Sequence, residues 1–248
     1  MKNILQEVDT LQAELRSLRP LNQAELKRLR DEFVIETTYN SNALEGNTLT
    51  LRETALILQE GITIAEKPLR DHLDAIGFRD AFYYMIDLAS HNAPLTEKTI
   101  LDIHAMLLMH DAENRGRYRR VPVKILGALH THPQPYMVQP AMEQLLEQYA
   151  LWQQDKHILE AIALLHLEFE AVHPFIDGNG RTGRILLNFA LIKHGYLPVD
   201  IKFTDRRKYY NCFDSYHENN KNPQALVELM AGYEKAELER YLQIVKDK

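Results

Sequence analysis

An all-α protein is the fold class predicted by the sequence, on three observations. Apolar residues recur at i, i+3, i+4 spacing along most of the 248-residue chain. The segment from Ile158 to Val172 is apolar on nearly every side, which suits a helix at the centre of a bundle. One stretch, Val121 to Thr131, alternates in the manner of a β-hairpin, with Gly127 as its turn.

The elements follow in order. Ile4, Leu5, Val8, Leu11, Leu15 and Leu18 make a helical stripe that Pro20 ends. A second helix is expected from about Asn22 toward Ile35, and a short one ending at Gly46. Asn47 to Thr50 offers caps for a helix through Leu58 that stops at Gly61. Pro68 can start another through Ala89, and Thr96 caps one covering Ile100 to Leu107. Ala141 to Trp152 is amphipathic, and Ile158 to Val172 is the central helix. A helix begins near Arg181, another at Arg206, and a long last one spans Leu226 to Leu242. No linker-like shift in composition divides the chain. The reading is a helical extension over 1–40, a main domain over 41–220 with its core about 95–220, and a C-terminal helix over 221–248 packed on the same domain.

Composition narrows the function. A formal net charge of −6 gives no reason to expect nucleic-acid affinity. No apolar run approaches the ~20 residues of a membrane span. The single Cys212 fits a reducing compartment, and the charged start of the chain lacks the apolar region of a signal peptide, so a cytoplasmic location is expected. The stripe from Ile4 to Leu18 suits either a homodimer interface or internal packing.

The densest chemistry lies in His173-Pro174-Phe175-Ile176-Asp177-Gly178-Asn179-Gly180-Arg181-Thr182-Gly183-Arg184. Gly178 and Gly180 let the backbone turn tightly and approach a ligand closely. The helix that follows presents unpaired amides at its N-terminus, a ready anion site, and Asn179 can add a side-chain donor. Arg181 and Arg184 share one side of the first turn. Two cations there oppose the helix dipole, a conflict that a polyphosphate or an acidic partner would remove. Asp177 is a hard oxygen ligand, and Mg²⁺ needs only one or two carboxylates besides substrate phosphates. His173 titrates near neutrality and can accept a proton. At the end of the central helix the dipole favours its imidazolium form. No Ser or Cys nucleophile accompanies it, which favours direct transfer to an acceptor. His166, on the central helix, reads as a core histidine.

These twelve residues resemble the Fic motif, His-x-Phe-x-(Asp/Glu)-Gly-Asn-Gly-Arg-x-x-Arg, at every fixed position. The resemblance implies an all-α Fic-type helical bundle with a small β-hairpin flap. It implies ATP as co-substrate, Mg²⁺ as cofactor and transfer of AMP to a hydroxyl of a target protein. His173 would be the general base and Asp177 the metal ligand. Asn179, Gly180 and Arg181 would cradle phosphate, and Arg184 would hold the γ-phosphate. Gly178, Thr182 and Gly183 complete the expected ATP-binding stretch. Doc-like kinases carry Lys where this chain has Gly180, so Gly180 favours nucleotidyl transfer.

Residues Ser41-Asn42-Ala43-Leu44-Glu45-Gly46-Asn47 hold a second signal. Glu45 falls at a helix C-terminus, where the dipole disfavours a carboxylate and a compensating cation is expected. The stretch is similar to the Fic inhibitory motif, (Ser/Thr)-x-x-x-Glu-(Gly/Asn), with Ser41, Glu45 and Gly46 in register. The resemblance pairs Glu45 with Arg184 and blocks the γ-phosphate. Its upstream position matches the class shared with animal endoplasmic-reticulum Fic enzymes and many bacterial ones. In some of these the same Glu positions water to remove AMP from the target.

The hairpin candidate would be the Fic flap, which aligns an extended target segment, with Gly127, Ala128, Leu129 and His130 over the nucleotide. Tyr209 and Tyr210 correspond to a Tyr pair near the adenine, although core packing by at least one is the plainer reading. Seven residues on, the animal enzymes carry Asn where this chain has His217. The basic runs Arg117 to Arg120 and Arg206 to Lys208 read as solvated faces or phosphate neighbours.

The reading is a self-inhibited protein adenylyltransferase acting on Ser, Thr or Tyr hydroxyls, itself included. Its rivals are a de-adenylylating hydrolase that uses Glu45, and a non-catalytic nucleotide-binding module. The intact His173 speaks against the last.

Overall fold

The computed structural model describes residues 2–18, 23–124 and 131–246. They form ten α-helices: α1 Lys2–Ser17, α2 Gln23–Leu44, α3 Leu51–Glu60, α4 Leu69–Ser90, α5 Glu97–Leu107, α6 Val138–Asp155, α7 Ile158–Val172, α8 Asn179–Lys193, α9 Arg206–Glu218 and α10 Gln224–Lys246.

Helix α7 is central. It packs against α6, α8 and α10, and Ala161, Ile162, Leu165, Leu167 and Phe169 on it are fully or almost fully buried. Helix α4 packs on α8, α5, α2 and α3, and buries Phe78, Phe82 and Met85. A smaller apolar cluster of Leu49, Ile57 and Ala75 seats α3. Helix α1 lies along α10, with Leu5 and Val8 buried there, so its stripe packs internally.

The helix ends follow their caps. Thr50 opens α3 with a capping box, accepting from Glu53 N while Glu53 reaches back to Thr50 N, and Gly61 closes it in the left-handed region. Thr96 caps α5 through the Thr99 amide. Pro140 falls in the first turn of α6, where a missing N–H costs nothing.

One expectation about the helices needs correction. The second helix does not stop near Ile35, and no separate short helix precedes Gly46; α2 runs 22 residues to Leu44. Thr37, Thr38, Asn40, Ser41 and Asn42 read as helix breakers because their side chains compete for backbone. In the fold they are buried, and three of them have distant partners. Asn40 donates to Asp200 at 2.7 Å, and its carbonyl accepts from Phe203 N at 3.0 Å. Asn42 donates to Thr38 O and Asp74 O, and Ser41 accepts from Arg184. The hairpin candidate falls mostly on residues 125–130, which lie outside the described residues. Over residues 121–124 the Val121 carbonyl accepts from the Arg119 side chain. Gly127, Ala128, Leu129 and His130 lie outside the described residues.

Candidate active site

The site is built where α7 ends and α8 begins. His173 terminates α7 in the left-handed region (φ 48°, ψ 62°), its N–H donating to Phe169 O at 3.0 Å. A non-glycine residue adopts that conformation only when its surroundings hold it there. Arg119 does so directly, and His104 fixes the loop that follows. Arg119, 3% exposed, donates to His173 O at 2.8 Å, Pro133 O at 2.6 Å and Val172 O at 3.4 Å. Its cation therefore caps the C-terminus of α7, where the helix dipole favours positive charge. This corrects the solvated reading of Arg119. His104 lies flat on Phe175, with ring centroids 3.6 Å apart and planes 4° apart. His104 Nδ1 accepts from Gly116 N, so Nε2–H donates to Asp177 O at 3.0 Å. Burial pushes this histidine down to about 4, and it stays neutral. No pattern in a single sequence marks either contact, since both depend on segments more than fifty residues away.

Several side chains of the loop turn inward. Asn179 is 3% exposed, and its amide brackets Phe175, accepting from the N–H and donating to the C=O, each at 2.9 Å. Thr182 is buried and bonds to Gly178 O at 2.8 Å. A Cβ on Gly183 would sit 2.7 Å from Glu170 Oε1 and 3.0 Å from the His166 ring, so this glycine faces α7. Arg181, 1% exposed, donates to Asp74 of α4 at 2.6 Å and approaches Asp177 at 3.5 Å. Its guanidinium is buried on a carboxylate, while its Nε has no hydrogen-bond partner. Asn179, Arg181 and Thr182 thus have partners within the protein, and the backbone amides around Gly180 stand at the open end of α8.

Arg184 is the focus. It donates from Nε to Ser41 Oγ at 2.8 Å and from Nη2 to Ser41 O at 3.0 Å and Glu45 Oε1 at 2.6 Å. A Cβ on Gly180 would overlap the Glu45 carboxylate and lie 3.0 Å from Arg184 Nη1. Glu45 thus fills the space over the first turn of α8. Burial opposes the charge on Arg184, but Glu45 and Tyr209 outweigh it and hold the guanidinium more firmly protonated than usual. Glu45 gains the cation that its place at the end of α2 demanded, and both arginines of the loop gain acidic partners. Gly46 follows in the left-handed region (φ 87°).

The tyrosines divide. Tyr209 is buried, bonded to His166 at 2.7 Å and under the Arg184 guanidinium at 5.9 Å from the ring centroid. His166 is thus a bonded core histidine. Tyr210 is 44% exposed, and its hydroxyl donates to Leu44 O, the last carbonyl of α2. A cavity of about 460 Å³ opens between α6, α7 and the end of α9, walled by Trp152, Glu168, Val172 and His217 among others. Thr131 and Pro133 also line it, and the His132 ring between them packs 4.9 Å from His173.

Asp177 has the chemistry for a hard cation. Its side chain is 40% exposed. Burial pushes its carboxyl up, yet Arg181, the Gly178 amide and Arg70 together draw it below the usual range, so it is ionised. Oδ1 accepts from Gly178 N at 2.6 Å, and Oδ2 is paired with Arg70, which is itself 55% exposed and able to swing away. No cluster of three or more metal-ligating side chains occurs among the described residues. One carboxylate beside a phosphate cradle fits a magnesium ion that arrives with a nucleotide.

Comparison with known proteins places this arrangement. The profile of the Fic/DOC family matches residues 94–191. The protein adenylyltransferase Fic of Drosophila erecta is 31% identical over 249 residues, covering 98% of this chain and 48% of its own length. The chain thus spans about half the length of the curated relatives it matches. Among solved structures, a Fic-domain-containing signalling protein from Bacteroides thetaiotaomicron superposes with a TM-score of 0.89 at 29% identity, covering 98% of this chain and 97% of the other. Residues 134–508 of Fic-1 from C. elegans give a TM-score of 0.81 at 30% identity, covering 98% and 71%.

Proposed function

The chain belongs to the Fic/DOC family, and from that premise we propose that it is a self-inhibited protein adenylyltransferase. The observation that carries the proposal is the Glu45 carboxylate on Arg184 at 2.6 Å, directly over Gly180. That is the volume a polyphosphate would need at the N-terminus of α8. A group placed there prevents productive binding until it moves, and Arg184 is then freed for the γ-phosphate.

The reaction divides among few residues. The backbone around Gly180 receives the α-phosphate. His173 takes the proton of the target's Ser, Thr or Tyr hydroxyl as its oxygen bonds to the α-phosphorus and the bond to pyrophosphate breaks. Asp177 is the residue that would hold Mg²⁺, with Arg70 released from it. Magnesium, when bound, neutralises phosphate charge as pyrophosphate leaves. The exposed ring of Tyr210 and the wall residue His217 are the base-side candidates. Gly127 to His130 would cover the nucleotide and align the target. A reducing compartment such as the cytoplasm suits the lone, buried Cys212.

The test removes the base from a released enzyme. Glu45→Gly should transfer AMP from labelled ATP to protein. Adding His173→Ala should abolish transfer while ATP binding, followed by calorimetry, persists. Full transfer by the double variant would refute the role of His173.

A further inference from the structure

The mechanism so far leaves one mostly buried acid beside the base unused. Glu170 lies three residues before His173, on the same face of the last turn of α7. Because His173 ends the helix in the left-handed region, its ring folds back, and Nδ1 comes to 3.9 Å from Glu170 Oε2. That is one small movement from a hydrogen bond, and such contacts tighten when substrate closes a site. The space for Glu170 is provided by Gly183, where any Cβ would strike Oε1 at 2.7 Å. Oε1 itself has no hydrogen-bond partner.

We propose that Glu170 is a positioning residue for His173, holding Nδ1 as the protonated nitrogen and leaving Nε2 to receive the acceptor's proton. The proposal rests on His173 being the base. Atoms balance simply. The hydroxyl proton passes to Nε2 as its oxygen attacks the α-phosphorus, and the imidazolium so formed presents Nδ1–H to the Glu170 carboxylate. A carboxylate in that place both selects the tautomer and stabilises the charge, as in other base–carboxylate pairs.

The surroundings set when Glu170 carries charge. Burial pushes its carboxyl up to about 8, Arg184 of α8 draws it down, and Glu45 at the end of α2 pushes it up again. His166 of α7 and Tyr209 of α9 complete the shell, and His132 packs on the far side of the His173 ring. Glu170 is thus the group whose proton must leave before it can act on His173 in the way proposed.

The experiment uses Glu45→Gly as parent and adds Glu170→Gln, which keeps size and an acceptor oxygen but cannot ionise. Transfer rates are measured against pH, and ¹⁵N NMR of the His173 ring reports its tautomer. The expected result is kcat lower by about tenfold or more, with KM for ATP changed less than about twofold. The acid limb of the pH profile should move down by roughly one unit, since only the histidine then titrates. Glu170→Leu should in addition mix the two tautomers. An unchanged acid limb together with unchanged ring-nitrogen shifts would overturn the proposal, even if stability or rate fell. If the parent transfers no AMP, the functional reading fails instead. The ring-nitrogen shifts then decide on their own whether Glu170 holds the imidazole.

Discussion

His104 has no exposed surface and bridges Gly116 N and Asp177 O as a neutral ring. Its ordinary value of 6.5 falls to about 4 in the fold, so the unfolded chain takes up the proton first as pH drops. The stability it contributes is present above about 6.5 and is lost between there and 4. Replacing it by Gln, which cannot titrate, should therefore narrow the gap to wild type by about 2 kcal/mol between about pH 7.5 and pH 5, and urea melts at both pH values check this. The same scale shows what single residues reveal. His173, Asp177 and Arg184 were legible because their chemistry is compressed into one loop. Glu45 was legible because a carboxylate at a helix C-terminus demands a cation. Asn179 and Arg181 also have internal partners, Phe175 and Asp74, that the loop's own residue types do not announce. His104 and Arg119 were invisible for the complementary reason, since their partners are carbonyls and amides.

Helices were readable where a cap or a breaker is local, and unreadable where a distant residue decides. Thr50 opens α3 with a reciprocal bond to Glu53, and Thr50→Ala should lower stability by about 1 kcal/mol in a thermal or urea melt. An unchanged midpoint would show that the packing of Leu49 and Ile57 alone sets that helix. Helix α7 matched its expected span because its apolar run is bounded at both ends. Helix α2 did not, because Asn40, Ser41 and Asn42 carry weak helix preference and are held by Asp200, Arg184 and Asp74. Its extra turns have a consequence for the site. Ser41 and Glu45 reach Arg184 from one continuous helix end, which Tyr210 ties down through Leu44 O.

The whole molecule is a helical frame that brings two distant segments onto one helix N-terminus. Helix α7 supplies His173 from the centre of the core, α8 supplies Arg184 and the open amides, and α2 crosses over to close them. The all-α class and the central helix could be read from periodicity, while the meeting of α2 with α8 rested on the two motifs and not on any pattern in the chain between them. The central claim is that Glu45 restrains an AMP transferase. The measurement that tests it is the intact mass of Glu45→Gly protein after incubation with Mg²⁺ and ATP, beside wild type treated alike. The account predicts addition of one or more AMP groups to the variant and little or none to wild type. Equal incorporation by both proteins would contradict it.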